Sequence, residues 1–119
     1  MSTVTLYHNP RCSKSRAALD FLEAQGVKTQ VVRYLDEPLD EAALRTLAAR
    51  LGLASPRGMM RTDDSLFREL ALDNADDNAL FAALAAHPAL LERPIAVSGD
   101  HAAIGRPLDN IIRLLDQAT

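Results

Sequence analysis

An α/β fold with a four-stranded mixed sheet flanked by helices is predicted for this sequence on three observations. Two short β-branched and apolar segments, Thr3–Tyr7 and Gln30–Leu35, enclose a stretch with helical spacing from Ser13 to Gln25. Near the other end, Ile95–Ser98 and His101–Ile104 flank Gly99-Asp100 and precede a last helical stretch. Between them lies a run of short helical pieces. The order is therefore β-α-β, a helical insert between strands 2 and 3, then β-β-α. A β-α-β crossover joins parallel strands, and the closing hairpin adds antiparallel ones to the same sheet.

The elements follow in order. Asn9-Pro10 is strong turn punctuation after the first strand, so His8–Cys12 reads as a turn. Ala18, Phe21, Leu22 and Gln25 lie on one face of the first helix, and Gly26 stands where a C′ glycine belongs. Asp40 is a good N-cap for a second helix, with Leu44, Leu47, Ala48 and Leu51 repeating at i, i+3, i+4, i+7 before Gly52. Ser55-Pro56 pairs a capping residue with proline at the first helical position, which starts a short helix over Arg57–Met60. Leu66, Phe67 and Leu70 mark another turn or two, and Asp76–Ala86 is a further helix. Glycine at the first turn position predicts a two-residue type II′ hairpin at Gly99-Asp100. Pro107 opens a last helix with Leu108, Ile111, Ile112 and Leu115 on one face.

Composition bounds the rest. The chain has 119 residues, and 48% are hydrophobic and 24% charged, so one folded domain over 1–119 is expected rather than disorder. The net charge is -3 and no basic tract is visible, which argues against nucleic acid and membrane surfaces as partners. No signal-peptide pattern and no apolar run of bilayer length is present, so a cytoplasmic protein is expected, and a monomer. One cysteine excludes a disulfide scaffold. His8, His87 and His101 are scattered without ligand spacing, so no metal is expected, and no bound cofactor. Asp73–Asn78 lacks the glycine and glutamate of a calcium loop and reads as a helix N-terminus.

The residue with chemistry is Cys12. It lies between a strand end and a helix start, near free backbone N–H groups and the positive end of a helix dipole. Arg11, Lys14 and Arg16 add charge. Thiols in such places have lowered pKa values, and the thiolate is the nucleophile; the alternative is a buried structural cysteine. His8 either tunes the thiol or holds the loop, and Ser15 either donates to the thiolate or completes the first helical turn. Cys12-Ser13-Lys14-Ser15 is C-x-x-S, so a second thiol must come from another molecule. Arginine is the default cation here, 11 against 2 lysines, so spacing does not separate Arg61, Arg93 and Arg106 from surface arginines.

Taken together, the segments His8-Asn9-Pro10-Arg11-Cys12-Ser13-Lys14-Ser15-Arg16, Tyr34–Pro38, Met59-Met60-Arg61, Glu92–Ile95 and Gly105-Arg106-Pro107 resemble, collinearly, the ArsC-type glutaredoxin-linked arsenate reductases. The similarity is greatest to the short YfgD-like branch of that family. The resemblance implies a thioredoxin-like fold and a cis peptide bond at Arg93-Pro94, facing the cysteine. It implies that Cys12 attacks arsenate while Arg61, Arg93 and Arg106 bind the oxyanion, with His8, Asn9 and Ser15 in support. It also implies glutathione as co-substrate and glutaredoxin as reducing partner. Two departures stand out: Ser13-Lys14 replaces a Gly-Thr pair, and the chain is shorter at its C-terminal end. Two other classes share parts of the pattern. A thiol–disulfide oxidoreductase acting on glutathione mixed disulfides needs the cysteine but no triple cation. An Spx-like redox regulator binding RNA polymerase resembles a C-x-x-C sensor, and Ser15 stands where its second cysteine belongs.

Overall fold

Four strands of four residues each meet in one sheet in the computed structural model, which describes residues 3–118. They are β1 (Val4–Tyr7), β2 (Thr29–Val32), β3 (Ile95–Ser98) and β4 (His101–Ile104), in the spatial order β2-β1-β3-β4. β1 pairs parallel with β2, Leu6 opposite Val31, and antiparallel with β3, Leu6 opposite Ala96. β3 pairs antiparallel with β4. The sheet is therefore mixed, as the element order predicts. The chain divides into two compact units: one takes the described residues up to Glu37 and those from Arg93 onward, the other is Pro38–Glu92.

The first unit holds the sheet and two helices, α1 (Ser13–Ala24) and α5 (Asp109–Ala118). Period-two alternation sends Val4 and Leu6 of β1 to one face, together with Ala96 of β3. Ala18 and Leu22 of α1 and Ile111 and Leu114 of α5 pack against those three, so both helices share that face. β3 is central and buried on both faces, Ile95 and Ala96 fully. Gly26, at φ +69, ends α1 in the left-handed conformation that glycine adopts without a Cβ penalty. Gly99 sits at φ +59 and Asp100 does not have a positive φ, which fits the expected type II′ turn.

Two boundaries and one buried face differ from the sequence reading. β2 stops at Val32 and does not reach Leu35, because the Arg33 carbonyl accepts the N–H groups of Asp36 at 3.0 Å and Glu37 at 2.9 Å and the chain curls into a turn. α5 starts at Asp109, after a cis Arg106–Pro107 bond, so Pro107 precedes the helix. Its buried residues include Leu114, whereas Ile112 is 37% exposed. At about 100° per residue, Ile112 turns onto the flank when Ile111 faces the sheet.

The second unit is the helical insert. Its elements are α2 (Glu41–Leu51), a 3₁₀ turn at Pro56–Met59, α3 (Ser65–Glu69), α4 (Asp77–Ala86) and a 3₁₀ turn at Pro88–Leu90. Side-chain caps start all but the last of these. Asp40 accepts from the Ala43 N–H at 2.8 Å, Ser55 from Arg57 at 3.2 Å, Asp64 from Leu66 at 2.9 Å and Asp76 from Ala79 at 2.8 Å. Asp76 is thus a helix cap, as the helix-terminus reading of Asp73–Asn78 has it. Ala71, at φ 55, ends α3 in the left-handed region without a glycine. The Arg57 guanidinium ties down the following loop, Nη2 donating to the carbonyls of Ala75 at 2.7 Å and Asp73 at 3.1 Å.

Candidate active site

The turn after β1 places Cys12 by local bonds. The His8 N–H donates to the Val32 carbonyl at 2.8 Å, which keeps the chain in register with β2 for one more residue. Asn9 then closes the turn. Its carbonyl accepts the Cys12 N–H at 3.0 Å, and its Oδ1 accepts the Arg11 N–H at 3.0 Å. Cys12 is extended, at φ -95 and ψ 123, and its carbonyl accepts the Arg16 N–H at 3.0 Å. It is therefore the N-cap residue of α1, with no cap bond from its own side chain.

That position decides the thiol's chemistry. The first amides of α1 have no intrahelical acceptor. Burial pushes the Cys12 thiol up, but the Ser15 and Lys14 N–H groups, the Ser15 hydroxyl and the charge of Arg93 pull it down. The net result lies below the ordinary thiol value. Ser15 is completely buried, and its oxygen also accepts the Asn9 N–H at 3.4 Å. The hydroxyl thus links the turn to the sulfur.

Two arginines reach this place from the other end of the sequence. The β3–β4 hairpin brings Ile104 back beside Ile95, so the segments before β3 and after β4 are neighbours. The Gly105 N–H donates to the Pro94 carbonyl at 2.8 Å. A Cβ on Gly105 would lie 2.9 Å from Pro94 Cγ and 2.6 Å from Ile111 Cδ1, so only glycine fits without displacement. Arg106 then turns inward. Its Nε donates to the Arg93 carbonyl at 2.7 Å, and its Nη2 lies 3.6 Å from Cys12 Sγ. The Arg93–Pro94 bond is cis, as the resemblance implies.

His8 is 5% exposed, and its Nδ1 makes no hydrogen bond. Burial, then the charges of Arg33 and Arg16, hold its pKa below the ordinary value of 6.5, so the ring is neutral at pH 7. It is a buried, uncharged group at the start of the turn. Arg61 lies in the second unit, directly after the buried Met59 and Met60. Its N–H donates to the Leu90 carbonyl at 2.7 Å, and its Nη2 is 3.2 Å from Asp64 Oδ2. Sequence reasoning missed Asn110, whose side-chain amide donates to the Ile104 carbonyl at 2.9 Å. A polar residue in a first helical turn is too common to signal that contact. Among the described residues no cluster of three His, Cys, Asp or Glu side chains could hold a metal, and no helix is long and apolar enough to cross a membrane.

Chemically, this geometry offers a thiol of lowered pKa inside a shell of N–H donors, with a guanidinium in contact and a second cation nearby. Such a site suits nucleophilic attack on an anion. Residues 7–114 match the model of the ArsC family. The chain is 55% identical over 117 residues to an arsenate reductase of Neisseria meningitidis serogroup A, covering 97% of this chain and 100% of that one. It is 44% identical over 114 residues to the uncharacterized protein YfgD of Escherichia coli, covering 94% and 96%. The solved arsenate reductase from Vibrio cholerae superposes with a TM-score of 0.91 at 45% identity, covering 94% of this chain and 97% of that one. The thioredoxin-like arrangement of sheet and helices is shared with these structures.

Proposed function

This chain belongs to the ArsC family, and from that premise we propose that it is an oxidoreductase reducing arsenate to arsenite, with Cys12 as the nucleophile and glutathione and glutaredoxin as the source of electrons. The observation that carries this reading is the Arg106 Nη2 at 3.6 Å from Cys12 Sγ, a cation held where an oxyanion meets the attacking sulfur.

The steps balance as a two-electron reduction. The Cys12 thiolate attacks arsenic(V) and displaces water, forming an S–As bond. A glutathione thiolate then attacks Cys12 Sγ. The S–As electron pair leaves with arsenic, which departs as arsenite, and a Cys12–glutathione disulfide remains. Glutaredoxin attacks the glutathione sulfur and returns Cys12 as thiolate. With one cysteine in the chain, each of these thiols must come from outside. Arg93 and Arg106 stabilise the charge that builds on the arsenate oxygens, and planar guanidinium forks match a tetrahedral oxyanion better than an ammonium does. Arg61 is the third proposed oxyanion ligand, on the strength of its Met59-Met60-Arg61 motif. Asn9 and Ser15 hold the turn around the thiolate, and His8 is buried and uncharged at its start. A reducing cytoplasm keeps such a thiol free, which is the compartment the reading requires.

Arsenate turnover with glutathione and glutaredoxin tests this, beside the same assay with a small disulfide as substrate. Cys12→Ser should abolish arsenate reduction. Arg106→Lys and Arg61→Lys should each lower kcat/KM, by roughly ten-fold or more, because one positioned donor to an oxyanion is worth 10²–10³ and lysine keeps only the charge. Background arsenate turnover beside brisk disulfide reduction would overturn the reading.

A further inference from the structure

We propose that Asn110 is the positioning residue for Arg106, holding the segment between β4 and α5 so that the guanidinium stays at Cys12 Sγ. Arg106 lies in an irregular stretch from Gly105 to Leu108 and is exposed along much of its length. A long side chain on such a stretch loses rotamer freedom when it is fixed, so its backbone must be held. Asn110 does this from the first turn of α5. Its Nδ2 donates to the Ile104 carbonyl at 2.9 Å and to the Arg106 carbonyl at 3.4 Å, on either side of Gly105. Its Oδ1 accepts from Arg113 Nη2, one turn further along the helix. Arg113 thus sets which end of the amide faces the carbonyls: oxygen outward, nitrogen inward.

The connection runs on from there without a gap. The Arg106 backbone, clamped by Asn110, carries a guanidinium fixed at Nε by the Arg93 carbonyl at 2.7 Å, and its Nη2 meets Sγ at 3.6 Å. Only a side chain with both a donor and an acceptor serves at position 110. Aspartate would oppose two carbonyl oxygens with a carboxylate, and alanine would leave them unbridged. The backbone N–H of residue 110, donating to the Pro107 carbonyl at 3.0 Å, survives any substitution and keeps the helix start in place. The proposal rests on the preceding reading only in that Arg106 meets the substrate there. The contact with the thiol stands by itself, and the experiment reads the thiol.

Iodoacetamide alkylation of Cys12 against pH is measured on the full chain for the wild type, Asn110→Ala, Arg106→Gln and the double variant. Arg106→Gln should raise the midpoint. Asn110→Ala should raise it by about half a unit, roughly a three-fold loss of thiolate at a pH below the midpoint. The double variant should match Arg106→Gln alone, because Asn110 acts through Arg106. A wild-type midpoint in Asn110→Ala overturns the assignment, as does a shift equally large without Arg106, which marks a general loosening of α5. If circular dichroism shows Asn110→Ala unfolded, Arg113→Met replaces it, with the same non-additivity expected and the same outcomes against it. Arsenate turnover is followed in parallel. A non-additive thiol shift without turnover would sink the proposed function and leave the role of Asn110 standing.

Discussion

Ser15→Ala tests how much of the thiol's acidity comes from one buried hydroxyl. Beside the Arg106 Nη2, three donors from the start of α1 act on Cys12: the Ser15 N–H, the Lys14 N–H and the Ser15 hydroxyl. Alanine removes the third and keeps both amides, since it holds the helix at least as well as serine. A hydrogen bond to a charged group contributes about 1.5–3 kcal/mol, and a pKa unit corresponds to about 1.4 kcal/mol. Ser15 is completely buried, so water cannot step into the lost place. The midpoint for alkylation should therefore rise by about one unit, which is roughly ten-fold less thiolate at a pH below both midpoints. The assay is the iodoacetamide rate against pH; Cys12 is the chain's single cysteine, so the signal has one source. An unshifted midpoint would show that the helix amides, Arg93 and Arg106 suffice, and that the hydroxyl has no part in the thiol's acidity.

Three further outcomes are expected. Gly105→Ala brings a methyl within 2.6 Å of Ile111 Cδ1 and 2.9 Å of Pro94 Cγ, and should cost about 1–3 kcal/mol in urea unfolding while raising the thiol midpoint through displaced Arg106. Ala71→Gly should raise Tm, with a gain of about 0.5–1 kcal/mol, because Ala71 holds φ 55 at the end of α3 where glycine is unstrained; an unchanged or lower Tm refutes this. Stability should depend on pH in two windows. Cys12 and His8 both have folded pKa values below their unfolded ones, so in each window the unfolded chain binds more protons and stability falls on acidification. For Cys12 the window runs down from about 8.5 to its folded value, and Cys12→Ser should flatten it. For His8 it begins at about 6.5 and runs downward, and His8→Gln should flatten that one in urea titrations at stepped pH.

Much of the fold was legible because its signals are local. Asp40, Ser55 and Asp76 cap helices since a short acceptor side chain reaches an amide two or three residues on, and that geometry needs no partner from elsewhere. Gly26 and Gly99 carry positive φ for equally local reasons. The Cys12 turn was readable too: proline after asparagine, then a cysteine at a helix start, fixes the sulfur near free amides before any tertiary contact forms. Element ends were less readable. β2 stops at Val32 because Arg33 offers its carbonyl to a turn, although Tyr34 and Leu35 look strand-like.

What the chain alone determined is thus a mixed α/β order, a thiol at a helix N-terminus, and the motifs that carry the resemblance. Only the tertiary structure decided what Arg93 and Arg106, among eleven arginines, can do. Arg106 and Cys12 are 94 residues apart in sequence, and no spacing rule reaches that far. They meet because β3 pairs with β1 on one side and β4 on the other, which brings the segment after β4 to the end of β1. The same holds for Asn110 and Gly105. The physical reason is that capping and turn energies act within a few residues, whereas a guanidinium's position depends on strand order, register and the close packing that permits no Cβ beside Pro94.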